Sequence, residues 1–144
     1  MTKQNVLVMC SANSCRSQMA EAFLRKYGGE RFNVYSAGLV PAGVHPLTIQ
    51  VMDEVGIDIR NQRSKSVSEY LGRVEFAYVI FVCSQAEKHC PRLYPGVPAQ
   101  ISWPFEDPVA FDGTPEQRLE KFREVRDMIC RRVREWLAVM GPSA

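Results

Sequence analysis

Apolar side chains fill residues 6–9 (Val6, Leu7, Val8, Met9) without the alternation of a half-exposed strand, so 5–9 reads as a strand buried on both faces. Small polar residues follow at 11–14. From residue 18 the period lengthens, and Met19, Ala20, Ala22, Phe23 and Leu24 make an amphipathic helix over 18–27 closed by Gly28 and Gly29. Residues 32–37 alternate enough for a second strand. Pro46 opens a helix over 46–55 ended by Gly56, and a short helix is expected over 64–71. Residues 76–82 are the most apolar run, the mark of a central parallel strand, and a short strand at 99–103 precedes Pro104. Thr114, Pro115 and Gln117 combine an N-cap, a first-turn proline and a capping-box glutamine. The helix they start carries an apolar stripe of Leu119, Phe122, Val125, Ile129, Val133, Trp136, Leu137 and Met140.

Strands alternating with helices imply an α/β fold, a four-stranded parallel sheet of order 2-1-3-4 with helices on both faces. In such a sheet the ligand sits beyond the carboxyl ends of the strands where the winding reverses, here between strands one and three. Cys10 and Cys83 end those two strands. With 144 residues, 46% of them hydrophobic, the chain suits a single domain spanning 1–144.

Composition narrows the function. A net charge of +2 leaves no electrostatic footprint for nucleic acid or an anionic membrane. The first apolar run is too short for a signal peptide or a membrane span, so a cytoplasmic protein is expected. Five cysteines (10, 15, 83, 90 and 130) are an odd number without an export signal, which favours reactive thiols over a structural disulfide framework.

The candidate chemistry lies in Cys10-Ser11-Ala12-Asn13-Ser14-Cys15-Arg16-Ser17. A loop of this length between a cysteine and an arginine can turn successive N–H groups inward while the next helix aims its positive end at the same point. That environment suits a tetrahedral oxyanion and favours the Cys10 thiolate. Arg16 would bind two oxygens of the ligand, and Ser17 would donate to the sulfur.

The string at 10–17, with Glu106-Asp107-Pro108, resembles the low-molecular-weight tyrosine phosphatase family over essentially the whole chain. Within that superfamily, the stretch from Val82 and Cys83 to Cys90 and Pro91 is similar to the paired cysteines of thioredoxin-coupled arsenate reductases. The resemblance implies a catalytic set of Cys10, Arg16, Cys83, Cys90 and Asp107, the last a general acid. It implies redox-active disulfides, first Cys10–Cys83 and then Cys83–Cys90. The implied partners are arsenate, with phosphate or sulfate as mimics, and thioredoxin; a monomer is expected, with no cofactor and no metal. Seven helical positions span about 10 Å, whereas bridged Cα atoms lie within about 7 Å, so the 83–90 segment is expected to unwind partly when oxidised. In reductases of this group an alkali cation supports the anion loop through residues matching Asn13, Glu21, Ser36 and an aspartate. Lys65 stands near the aspartate position, and its ammonium is expected against Glu21 and the Asn13 side chain in place of the ion; a solvent-facing lysine is the alternative. Ala12 replaces a frequent glycine, where a positive φ would be disfavoured.

Other readings remain open at this point. The chain could be a phosphatase hydrolysing phosphate monoesters through Cys10, or a non-catalytic, redox-sensing oxyanion module. Asp107 could initiate a turn before Pro108. A zinc site at Cys83, His89 and Cys90 is poor, because four convergent ligands are hard to assemble. Cys130 reads as a packing residue, His45 carries no catalytic signal of its own, and the arginines at 118, 123, 126, 131, 132 and 134 read as a solvated helix face.

Overall fold

The computed structural model describes residues 3–70, 72–83 and 99–140. Cys90, its pairing with Cys83 and the expected unwinding between them lie outside the described residues.

Four parallel strands, β1 (Gln4–Cys10), β2 (Phe32–Gly38), β3 (Tyr78–Phe81) and β4 (Ala99–Ser102), form one sheet in the order β2-β1-β3-β4. β1 lies inside the sheet, which is why its apolar run shows no alternation. Val6, Val8 and Cys10 enter one core and Leu7 and Met9 the other, all buried. β3 is shorter than the apolar run that announces it. Phe76 leaves the ladder to pack edge-on against Tyr35 and Tyr70 on the second face.

Three α-helices, α1 (Arg16–Gly28), α2 (Pro46–Asp53) and α3 (Pro115–Met140), build the first core. The capping box opening α3 is reciprocal: Gln117 N donates to Thr114 Oγ1 at 3.2 Å, and Thr114 N to Gln117 Oε1 at 3.0 Å. Phe122, Val125, Ile129 and Val133 of its stripe are buried, each contributing roughly 1.5–3 kcal/mol. α2 ends before Val55 because Gly56, at φ 79°, turns the chain and Ile57 N closes onto Met52 O at 3.0 Å.

The other face carries a 3-10 helix, Val67–Glu69, where a longer helix over 64–71 was expected. Lys65 cannot enter a helix, because its carbonyl accepts from Gly38 N (2.9 Å) and its N–H donates to Asn13 Oδ1 (2.8 Å). The α3 arginines are also not all solvated. Arg126 is buried, donating to Val51 O at 3.0 Å and pairing with Glu54 at 2.8 Å, while Arg123 clasps the same carboxylate at 2.7 Å. These guanidiniums tie α3 to the C-terminal end of α2, where free carbonyls attract cations. Among the described residues no helix is long and apolar enough to cross a membrane.

Candidate active site

The loop after β1 is shaped by capture of its carbonyls from outside. Ser11 O accepts from Val40 N (3.0 Å), and Ala12 O from Ala42 N (3.1 Å) and Ser64 Oγ (3.0 Å). Asn13 O accepts from Gln18 Nε2 (3.0 Å), and Ser14 O from His45 N (3.0 Å) and Thr48 Oγ1 (3.2 Å). In a trans peptide C=O and N–H point opposite ways, so carbonyls held outside turn the N–H groups of residues 12–15 toward the centre. α1 begins at Arg16 with no side-chain cap and no acid in its first turn, so its N-terminal donors face the same space. The left-handed residue of the loop is Asn13, at φ 50°, not Ala12; the alanine therefore meets no strain.

At the bottom of this cradle Cys10 Sγ accepts from Asn13 N at 3.1 Å and lies 2.9 Å from Ser17 Oγ. Ser17 Oγ already accepts from Asn13 Nδ2 at 2.7 Å, which directs its own proton to the sulfur. Asn13 Nδ2 also donates to Ser36 Oγ (3.0 Å), and Ser36 donates to Glu21 Oε1. The buried Glu21 carboxylate pairs with Arg25 at 2.8 Å and Lys65 Nζ at 3.3 Å. Lys65 Nζ also donates to Arg63 O at 2.8 Å, and burial pulls its pKa below the usual lysine value against the opposing pull of Glu21. The Asn13 side chain meets the Lys65 backbone N–H, not the ammonium, which corrects one contact expected from the sequence.

Arg16 is buried, its Nη1 donating to Phe105 O at 3.0 Å and its Nη2 lying 3.5 Å from Asp107 Oδ2. Asp107 initiates a turn, one of its two sequence-based readings: Oδ1 caps Pro108–Ala110 by accepting from Val109 N at 3.0 Å, and the residue also lines the cavity that Cys10 borders. That cavity, of about 940 Å³, is also walled by Ser11, Ala12, Ser14, Cys15, Arg16 and Phe111. Burial pushes the Cys15 thiol up to about 12, so it is protonated at neutral pH.

Cys10, Cys15 and Cys130 are free thiols, and Cys130 packs at the edge of the first core. Cys83 follows β3 at the ligand end of the sheet; it is buried and disulfide-bonded.

Residues 5–143 match the profile of the low molecular weight phosphotyrosine protein phosphatases. The chain belongs to that family. Within the family it is similar to proteins named arsenate reductase: 39% identical to one from Halalkalibacterium halodurans and 41% to one from Oceanobacillus iheyensis, each over 93% of this chain and 95% of the relative. Solved phosphatase-family folds named "an arsenate reductase in oxidized state" and "an arsenate reductase in the phosphate binding state" superpose with TM-scores of 0.79 and 0.73. Their identities are 33% and 34%, covering 96% and 94% of this chain and 99% and 97% of theirs. A tyrosine phosphatase from Erwinia amylovora, 19% identical with a TM-score of 0.78 over 98% of this chain and 95% of its own, shares the fold.

Four contributors to this site carry little sequence signal: Gly38, His45, Thr48 and Gln18. Gln18 is the most legible of them, a polar residue inside an otherwise apolar helix.

Proposed function

We propose that the protein is a cytoplasmic arsenate reductase that runs a relay through Cys10, Cys83 and Cys90 and is recycled by thioredoxin. The observation that carries the reading is the Cys10 sulfur, hydrogen-bonded by Asn13 N–H and Ser17 at the floor of a donor-lined cradle. Its relatives named arsenate reductase favour arsenate among tetrahedral oxyanions.

The Cys10 thiolate attacks arsenic while the loop N–H groups and Arg16 hold the anionic oxygens, and Asp107 protonates the departing oxygen, which leaves as water. Cys83 then attacks the Cys10 sulfur. The electron pair of the S–As bond stays on arsenic, arsenite leaves, and a Cys10–Cys83 disulfide remains. Cys90 attacks Cys83, freeing Cys10 and placing the disulfide at Cys83–Cys90 for reduction by thioredoxin. The place of Cys83 just past β3, beside β1 that ends at Cys10, supports this assignment. Lys65, held on Glu21 by an ion pair at 3.3 Å, serves in this reading as a built-in cation beneath the loop.

The cavity of about 940 Å³ exceeds the needs of a bare oxyanion and favours hydrolysis of phosphate monoesters through Cys10 as a second reading. The deciding experiment follows arsenate-dependent oxidation of reduced thioredoxin beside hydrolysis of an aryl phosphate. Thioredoxin consumption that requires arsenate supports the reductase; ester hydrolysis without it supports the phosphatase; neither activity leaves a binding module.

A further inference from the structure

The Asn13 amide that reaches Cys10 depends on a left-handed backbone conformation, which asparagine adopts more readily than other non-glycine residues when its side chain is hydrogen-bonded. Asn13 is the one non-glycine residue with positive φ (50°) among the described residues, and a left-handed non-glycine residue costs about 1–3 kcal/mol unless its surroundings hold it. Lys65 N–H and the hydroxyls of Ser17 and Ser36 hold its side chain, and Gln18 is the partner that grips both its side chain and its carbonyl. Gln18 Nε2 donates to Asn13 O at 3.0 Å, to Asn13 Oδ1 at 2.9 Å and to Arg63 O at 2.9 Å. The orientation of this carboxamide is set from the other side, where Gln62 Nε2 donates to Gln18 Oε1 at 2.7 Å. A flipped amide would put an oxygen against three acceptors. Gln18 has no exposed surface and does not line the cavity, so it acts on the chemistry only through Asn13.

We propose that Gln18 is a positioning residue for the nucleophile: by gripping the carbonyl and side chain of Asn13 it locks the left-handed conformation that aims the Asn13 N–H at the Cys10 sulfur. The proposal rests on Cys10 as the reactive thiol. Gln18→Met keeps the volume and removes the donor. Gln18→Glu places a carboxylate against the same acceptors at neutral pH, but its protonated form regains an O–H donor.

The test is the rate of Cys10 alkylation by iodoacetamide in the full-length protein, assigned to the Cys10 peptide by mass spectrometry. Gln18→Met is expected to react about ten-fold more slowly than the native protein, the scale of one charge-assisted hydrogen bond. For Gln18→Glu the ratio of variant to native rate should rise steadily as pH falls from about 8 to about 5.5, because protonation restores the donor; a merely structural contribution would leave that ratio flat. If Gln18→Met does not fold, Gln62→Met, which frees the Gln18 amide to flip, should still slow alkylation about three-fold. A rate matching the native one in a folded Gln18→Met, or in Gln62→Met, overturns the proposal while leaving Cys10 as nucleophile. Native alkylation no faster at Cys10 than at Cys130 overturns both.

Discussion

Gly38 faces Cys10 across the β1–β2 pairing, and a Cβ built on it would lie 2.6 Å from Ser11 O and 2.9 Å from Asn13 N. The strand end and the anion loop therefore touch backbone to backbone. Ser11 O cannot retreat without giving up its bond from Val40 N. The native protein is expected to gain Tm on adding phosphate, and Gly38→Ala to destabilise the fold by about 1–3 kcal/mol, as overpacking does, and to lose most of that gain. Gly43→Ala is the control: Gly43 has φ 84° with nothing near its Cβ position, so it should lose stability yet keep the phosphate response. Equal phosphate responses in the two variants would show that Gly38 does not shape the loop.

The proposed relay gives each thiol a separate role. Cys10→Ser should abolish arsenate reduction and aryl phosphate hydrolysis together, since a serine hydroxyl in the same cradle is a far weaker nucleophile. Arg16→Lys should impair both, because a point charge does not reproduce a planar fork. Cys83→Ser should stop reduction and spare ester hydrolysis, whereas Cys90→Ser should allow about one turnover and then stall with Cys10 oxidised. Steady reduction by Cys83→Ser at the native rate with thioredoxin would rule the relay out.

Lys65 is buried against Glu21, which Arg25 pairs with from the exposed side. Lys65→Met should destabilise the protein, toward the low side of the ~3–5 kcal/mol typical of a broken buried pair, because Arg25 still neutralises Glu21. Lys65→Asp should be worse, by setting two carboxylates together, and should gain Tm on adding potassium at fixed ionic strength through mass action. The native protein should melt at the same temperature in potassium and sodium. A potassium-specific rise in native Tm would show that a cation site persists beside the lysine.

His45 Nδ1 accepts from Leu47 N at 3.1 Å, capping α2, while its backbone N–H holds Ser14 O at 3.0 Å. Burial first, and Arg118 second, lower its pKa below the usual 6.5, against the pull of Asp107. Below that value the unfolded chain binds a proton that the folded protein resists, so stability falls as pH drops through it. Native Tm should decline from about pH 7 to about pH 5.5, and His45→Asn, which keeps a capping side chain, should decline less. Parallel Tm profiles for the two proteins would remove His45 as a source of the pH dependence.

The sequence by itself determined the elements whose residues act locally. The unbroken apolar run of β1, the Thr114–Gln117 box and the stripe of α3 are set by burial and capping within a few residues. The alternation of strands and helices ordered the sheet, and the Cys10–Arg16 spacing with its small side chains marked where the anion loop lies, while the distant donors that hold its carbonyls left no mark in the pattern. Tertiary structure decided everything that requires two distant segments to share one bond. Lys65 spends its backbone on Gly38 and Asn13, so the short helix expected from residue 64 starts only at Val67, as a 3-10 turn. Arg126 is buried because α2 offers it a carbonyl and a carboxylate. Asn13, not Ala12, takes the left-handed turn because Gln18 and Lys65 supply partners for it. Hydrophobic period is a property of one segment, whereas satisfying a buried polar group depends on what the fold brings within about 3 Å of it.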